Sequence, residues 1–340
     1  MDLHTLWFVL IAILFTGFFV LEGFDYGVGI LLPWLGKKGH ERDMIIHTIA
    51  PFWDGNEVWL IAGAGAIFAA FPIWYATMFS SFYLEIFFVL FALILRGAAI
   101  EFRGQRETAR WRTTWDWLIF IGSVLPGFLW GMILSNMITG MPVDAHQNYA
   151  GTVLTAFNAQ AILFGLAFVA LFTLHGALFL NLRIELGELT QRAHKTALFC
   201  WLPVVVLFAA AYGLGYAHSE LMRHIMTAAN VLPINVLLLT VMLLVLGFLL
   251  SGHTGWAFTM STLIIILGAL EIGFGAFPNV MLSSLSNTWT LTAYNASSSP
   301  YTLTVMSWIA LSIVPIILVY QAWNYYIFRH RVQPHAVGYH

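Results

Sequence analysis

Long apolar runs alternate with short polar breaks along the whole chain. Nine runs are centred near Phe15, Ile61, Phe88, Val124, Ala170, Phe208, Val241, Ile265 and Ile313. Each has the length of about 20 residues that carries a helix across the hydrocarbon of a bilayer. Turn signals separate many of them: the Pro33 to Gly39 stretch, Phe71-Pro72, Gly140-Met141-Pro142, Ser251-Gly252-His253 and Phe277-Pro278-Asn279. Nine spans of about 24 residues would use roughly two thirds of the chain. What is left for loops and tails is too little for a soluble domain. The pattern predicts an all-α polytopic membrane protein, with residues 1–340 forming a single integral membrane domain. Met1-Asp2-Leu3-His4 lacks a basic n-region, so the start reads as the first span rather than a cleavable signal.

Composition agrees with this. Hydrophobic residues make up 60% of the chain and charged residues only 9%, against roughly 25% charged in an ordinary soluble domain. A net charge of −2 offers no basic footprint for nucleic acid. The single cysteine, Cys200, rules out a disulfide within the chain and a thiolate metal cluster. Lys37, Lys38, Arg42, Arg103, Arg106, Arg110, Arg112, Arg183, Arg192, Lys195, Arg329 and Arg331 all fall on one side of a nine-span arrangement. Arg223 falls on the other, and Arg96 lies within a span. The positive-inside rule then predicts an external N-terminus and a cytoplasmic C-terminus. Trp34, Trp74, Trp111, Trp115, Trp130 and Trp289 read as an interfacial aromatic belt.

Ionisable residues at membrane depth are costly and point to function. The first span carries Glu22 and Asp25, and the second carries Asp54 and Glu57. At spacing i,i+3 each pair is expected to share a helix face. His47 lies about two turns before Asp54, and Pro51 between them removes the N–H that would bond the His47 carbonyl. Glu85, Arg96 and Glu101 belong to the third span, and Glu271 to the eighth. Short loops join the first three spans, so antiparallel packing can bring their polar faces together as a protonatable wire. The plainer reading makes Glu22, Asp25 and Glu101 solvated residues near the cytoplasmic interface and Arg96 a structural ion pair.

Haem ligation calls for histidines or methionines at membrane depth. Of the twelve histidines only His47 and His175 are candidates inside the spans, with no paired pattern between helices. The chain alone is therefore expected to bind no cofactor and no metal, and no catalytic residue of its own is assigned.

Two stretches carry a family resemblance. Glu22-Gly23-Phe24-Asp25-Tyr26-Gly27-Val28-Gly29 and Ile49-Ala50-Pro51-Phe52-Trp53-Asp54-Gly55-Asn56-Glu57-Val58-Trp59-Leu60 closely resemble subunit II of the bacterial cytochrome bd quinol oxidases. The similarity continues through Phe68 to Pro72, Arg110 to Trp117, Asn295 to Ser299 and Leu303 to Trp308. It implies about nine transmembrane helices, arranged as two four-helix bundles plus one peripheral helix, in the bacterial cytoplasmic membrane. It also implies an obligate heteromer that oxidises quinol and reduces O₂ to water. In that heteromer, haem b and haem d are held by a partner, subunit I, and the resemblance leaves room for small single-span subunits and for bound lipid or quinone. Matched position by position, it puts Asp25, Asp54, Arg96 and Glu101 on a proton pathway with Glu22 close by, and Trp59 beside a candidate oxygen passage. Several family members carry Gln where this chain has Glu57, so Glu57 and His47 are supporting candidates only. Two rivals explain intramembrane carboxylates without this chemistry: a proton-coupled secondary transporter, and a purely structural scaffold.

Overall fold

The structure, a computed structural model, describes residues 2–185 and 187–333. His335 and His340 lie outside the described residues. Helix α1 (Leu3–Leu35) opens on the Asp2 carboxylate, which accepts the Thr5 N–H at 2.7 Å. Then follow α2 (Gly39–Ile49), α3 (Trp53–Ala70), α4 (Pro72–Ser81), α5 (Tyr83–Arg103) and α6 (Ala109–Thr139). The second half comprises α7 (Ala159–Arg183), α8 (Glu188–His218), α9 (Glu220–Thr227), α10 (Leu232–Leu250), α11 (Thr254–Ala276) and α12 (Pro300–Ile327). A two-stranded hairpin, β1 (Asn279–Met281) with β2 (Leu291–Thr292), precedes α12.

Eight of these helices are long and apolar enough to cross a membrane: α1, α5, α6, α7, α8, α10, α11 and α12. The expected second span is α3, which has only 18 residues and carries Asp54, Asn56 and Glu57 in its first turns. The chain breaks just before it. Pro51 has no N–H with which to continue the helical hydrogen bonds, and α2 ends at Ile49 while α3 begins afresh at Trp53. This corrects the expected alignment of His47 with Asp54. The two lie on different helices, and His47 is exposed with Nδ1 2.8 Å from the Asp43 carbonyl. At the break the Pro51 carbonyl accepts Asn324 Nδ2 at 3.1 Å, and the Ile49 carbonyl accepts the Phe52 N–H at 2.8 Å.

Helices α1, α3, α5 and α6 form one packed group, and α7, α8, α10 and α11 a second. The two join where α1 and α6 meet α7. Helix α12 lies outside both, against α1 and α3, with Leu303 its one fully buried side chain. Trp7 Nε1 ties it down by donating to the Leu303 carbonyl at 3.2 Å and to Ser307 Oγ at 3.1 Å.

Ion pairs knit the basic end. Asp116 accepts from Arg42 at 2.8 Å and from Arg103 at 2.5 Å, Arg103 also pairs with Asp43, and Arg112 reaches Asp43 at 3.5 Å. Glu41 ties α2 to α8 through Arg192 at 2.6 Å and accepts the Lys37 and Lys38 N–H groups at 2.8 and 3.0 Å. Burial alone would raise its carboxyl, but these donors outweigh burial and hold it below its ordinary value. At the opposite end the hairpin region closes over the α6–α7 loop, where Ser283 Oγ donates to the Val143 carbonyl at 2.6 Å. Trp34 is 63% exposed, as a belt residue should be, but Trp74 and Trp130 are each only 6% exposed. Trp130 sits edge-on to Phe15, Phe18 and Phe19. These two are core residues, because aromatic area packs as readily between helices as at an interface.

Candidate functional site

Helix α1 presents Glu22 and Asp25 inward from successive turns, and neither has any solvent exposure. Arg96 of α5, likewise fully buried, meets them from across the bundle. Its approach depends on Gly122 of α6, where a Cβ would lie 2.8 Å from the Arg96 Cβ. Arg96 Nη2 contacts Glu22 and lies 2.5 Å from Glu57 Oε1 of α3. The guanidinium also covers the Tyr26 ring at 4.9 Å. Asp25 is held by a different neighbour: Asn56 Nδ2 donates to its Oδ2 at 2.7 Å.

One cation therefore faces three carboxyl groups. Glu22 Oε1 is taken by Arg96, but Glu22 Oε2, Asp25 Oδ1, the Tyr26 hydroxyl and two Arg96 nitrogens have no hydrogen-bond partner among the described residues. Buried polar groups are satisfied by the protein or by ordered water, so these atoms are open to bonding with water. The cluster is also a suitable place for protons to be held and handed on.

The structure brings together Glu22, Asp25, Arg96 and Glu57, and it places the other candidates around them. Asp54 is exposed and lies one turn before half-buried Glu57 on α3. Glu101 is exposed near the basic end of α5. Trp59 is partly buried and lies over Gly17 of α1, where a Cβ would come within 2.4 Å of its ring. His47 is on α2 and takes no part in the cluster. Sequence reasoning missed Asn56, Gln321 and Tyr325. The last two stand one helical turn apart on α12, and that spacing was the available signal.

A second polar site lies in the other bundle. Glu271 accepts the Tyr212 hydroxyl at 2.5 Å, and both line a cavity of about 720 Å³ whose walls include Trp130, Phe164, Phe168 and Phe208.

Haem iron would need a free imidazole nitrogen. Among the described residues His175 is the one fully buried histidine, and neither of its nitrogens is free. Nδ1 lies 2.7 Å from Ser261 Oγ and Nε2 3.2 Å from the Val20 carbonyl, with the ring stacked on Phe258 at 4.6 Å. This histidine does not fit an axial ligand.

Comparison with known proteins follows the same lines. Residues 3–328 match the family model described as cytochrome bd terminal oxidase subunit II. The chain is 43% identical over 331 residues to the cytochrome bd ubiquinol oxidase subunit 2 of Bacillus subtilis, covering 97% of each. It is 37% identical over 356 residues to the cytochrome bd-I ubiquinol oxidase subunit 2 of Escherichia coli K12, covering 95% of this chain and 93% of that one. A chain of the solved bd oxidase from Geobacillus thermodenitrificans superposes with a TM-score of 0.76 over 96% of this chain and 99% of its own length, at 16% identity, which supports the fold. With its membrane-length helices and a match running almost end to end, this chain belongs to the cytochrome bd terminal oxidase subunit II family.

Proposed function

We propose that, within a membrane quinol oxidase, this chain packs against a haem-bearing partner and delivers protons toward the place where O₂ is reduced to water. The carrying observation is the buried cluster in which Arg96 faces Glu22, Glu57 and Asp25. Reduction of O₂ to water consumes protons, and hydrocarbon conducts none without protonatable groups. A single guanidinium cannot balance three carboxylates at membrane depth, so charge balance favours protons on the cluster. Asp54 is the surface member of the series and Glu57 lies between it and Arg96, with Glu22 and Asp25 innermost. Glu101 adds an acid at the basic end, which the positive-inside rule places in the cytoplasm. Trp59, at the seam of α1 and α3, is proposed to border the oxygen passage. Haem b and haem d belong in this reading to subunit I, with quinol as substrate of the complex.

The test is turnover per haem in the purified complex for Asp25→Asn, Asp54→Asn and Glu101→Gln. Each keeps the size of the side chain and removes the exchangeable acid. Asp25→Asn and Asp54→Asn are expected to slow turnover on the order of a hundredfold, the lower end of what a positioned proton-transfer group contributes, with haem content intact. Wild-type turnover with all haems present in every variant would exclude the route. Full burial of the Arg96–Glu22 pair favours the scaffold as second reading, and that role predicts lost haem and lost assembly instead. A separate measurement addresses the cofactor assignment. The chain purified without its partner should show no stoichiometric Soret band, and such a band would transfer a haem to this subunit.

A further inference from the structure

The side-chain amide of Asn56 uses every hydrogen bond it can make. Its Nδ2 donates to Asp25 Oδ2 at 2.7 Å and, more weakly, to the Leu21 carbonyl at 3.4 Å. Its Oδ1 accepts from the Tyr325 hydroxyl at 2.9 Å and from Gln321 Nε2 at 3.1 Å. An amide offers two donors and two acceptor positions, so none is left over. The Leu21 carbonyl can only accept, which favours Nδ2 on the α1 side, and the two donors of α12 favour Oδ1 on theirs. A turned-over amide would set its oxygen against that carbonyl and against an Asp25 oxygen. That arrangement is tolerable only when Asp25 donates a proton to it.

The donors are themselves held in place. The Tyr325 ring stacks on Phe52 with centroids 4.4 Å apart and planes 11° from parallel. Asn324, between them in sequence, donates to the Pro51 carbonyl at 3.1 Å. The segment from Gln321 to Tyr325 thus grips the break that starts α3, although most of α12 is exposed. We propose that Gln321 and Tyr325 are positioning residues of the peripheral helix, which fix the Asn56 amide so that Asp25 always meets a donor at Oδ2. The consequence for turnover rests on the proton route proposed above; the orientation itself does not.

The experiment uses the purified complex carrying Gln321→Leu with Tyr325→Phe, and Tyr325→Phe alone, which keeps the stack on Phe52 and the fold of the break. Asp25→Asn identifies the Asp25 carboxyl bands as those it removes from the redox-difference infrared spectrum. Those bands are expected to be displaced in both α12 variants, more in the double one, at unchanged haem content. Turnover should fall about fivefold in the double variant, what the loss of the single hydrogen bond from Asn56 to Asp25 is worth, with KM for quinol unaltered. Undisplaced Asp25 bands in Tyr325→Phe and in the double variant overturn the proposal. Displaced bands together with wild-type turnover in Asp25→Asn keep the positioning role and overturn the proton route instead.

Discussion

Replacing Arg96 with Gln is expected to abolish assembly of the complex, leaving little or no haem in the purified membrane fraction. Arg96 and Glu22 are both fully buried, and Arg96 is the one cation within reach of Glu22 among the described residues. Removing one partner of a buried pair leaves an uncompensated charge and costs about 3–5 kcal/mol, a large part of the 5–15 kcal/mol typical of a folded domain. Arg96→Gln also withdraws the ion pair from Glu57, but that carboxylate is 19% exposed and can turn outward. Removing both charges should behave differently. Exchanging a whole buried pair for neutral groups of similar volume is often close to neutral, so Glu22→Gln with Arg96→Gln is expected to recover much of the haem content lost by Arg96→Gln alone. Haem per complex and the Tm of the purified protein measure both. Wild-type assembly in the single variant would show that Glu22 is carried without its charge and that the pair does not hold the bundle.

The charged half of this site was legible because charge is so costly in an apolar chain. Glu22, Asp25 and Arg96 stand out in runs that otherwise hold Leu, Phe and Val, and the structure places all three in one buried contact region. Asp54 and Glu57 were equally visible, but their burial was not. It depends on where α3 starts, and the restart at Trp53 turns Asn56 inward while leaving Asp54 on the surface. Pro51 announced the break without saying that α2 would become a separate helix carrying His47 away. The neutral members were harder to see. Asn56, Gln321 and Tyr325 carry no charge and stand out less than a carboxylate in a span, and Gln321 lies 265 positions from Asn56. Periodicity reports which face of a helix is polar, whereas the partner of that face is set by how helices pack. The apolar runs themselves were read well, since length and hydropathy suffice to find a membrane helix. Trp74 and Trp130 show the limit: an aromatic near a predicted helix end packs in the core as readily as it floats at an interface.

Gly27→Ala is expected to be as damaging as the loss of Arg96, for a reason that involves no charge. Helix α1 crosses α7 at Gly27 and Gly176, small residues of the kind that let membrane helices approach backbone to backbone. A Cβ on Gly27 would lie 1.9 Å from the Phe172 carbonyl oxygen and 2.8 Å from the Gly176 Cα. Neither neighbour is a side chain that can swing away, so the helices themselves must separate. Overpacking commonly costs about 1–3 kcal/mol, and backbone contacts belong at or above the top of that range. The separation also matters for the proposed chemistry, because Asp25 and Glu22 ride on the same helix, two and five residues before the crossing. Gly23→Ala provides the comparison. Its Cβ would meet the Phe172 ring at 2.7 Å, and a ring can turn. Haem content and Tm should therefore fall steeply in Gly27→Ala and modestly in Gly23→Ala, with Gly176→Ala resembling the former. Equal losses in Gly23→Ala and Gly27→Ala would mean that helix α1 tolerates no added methyl on this face, and that the backbone crossing has no special weight.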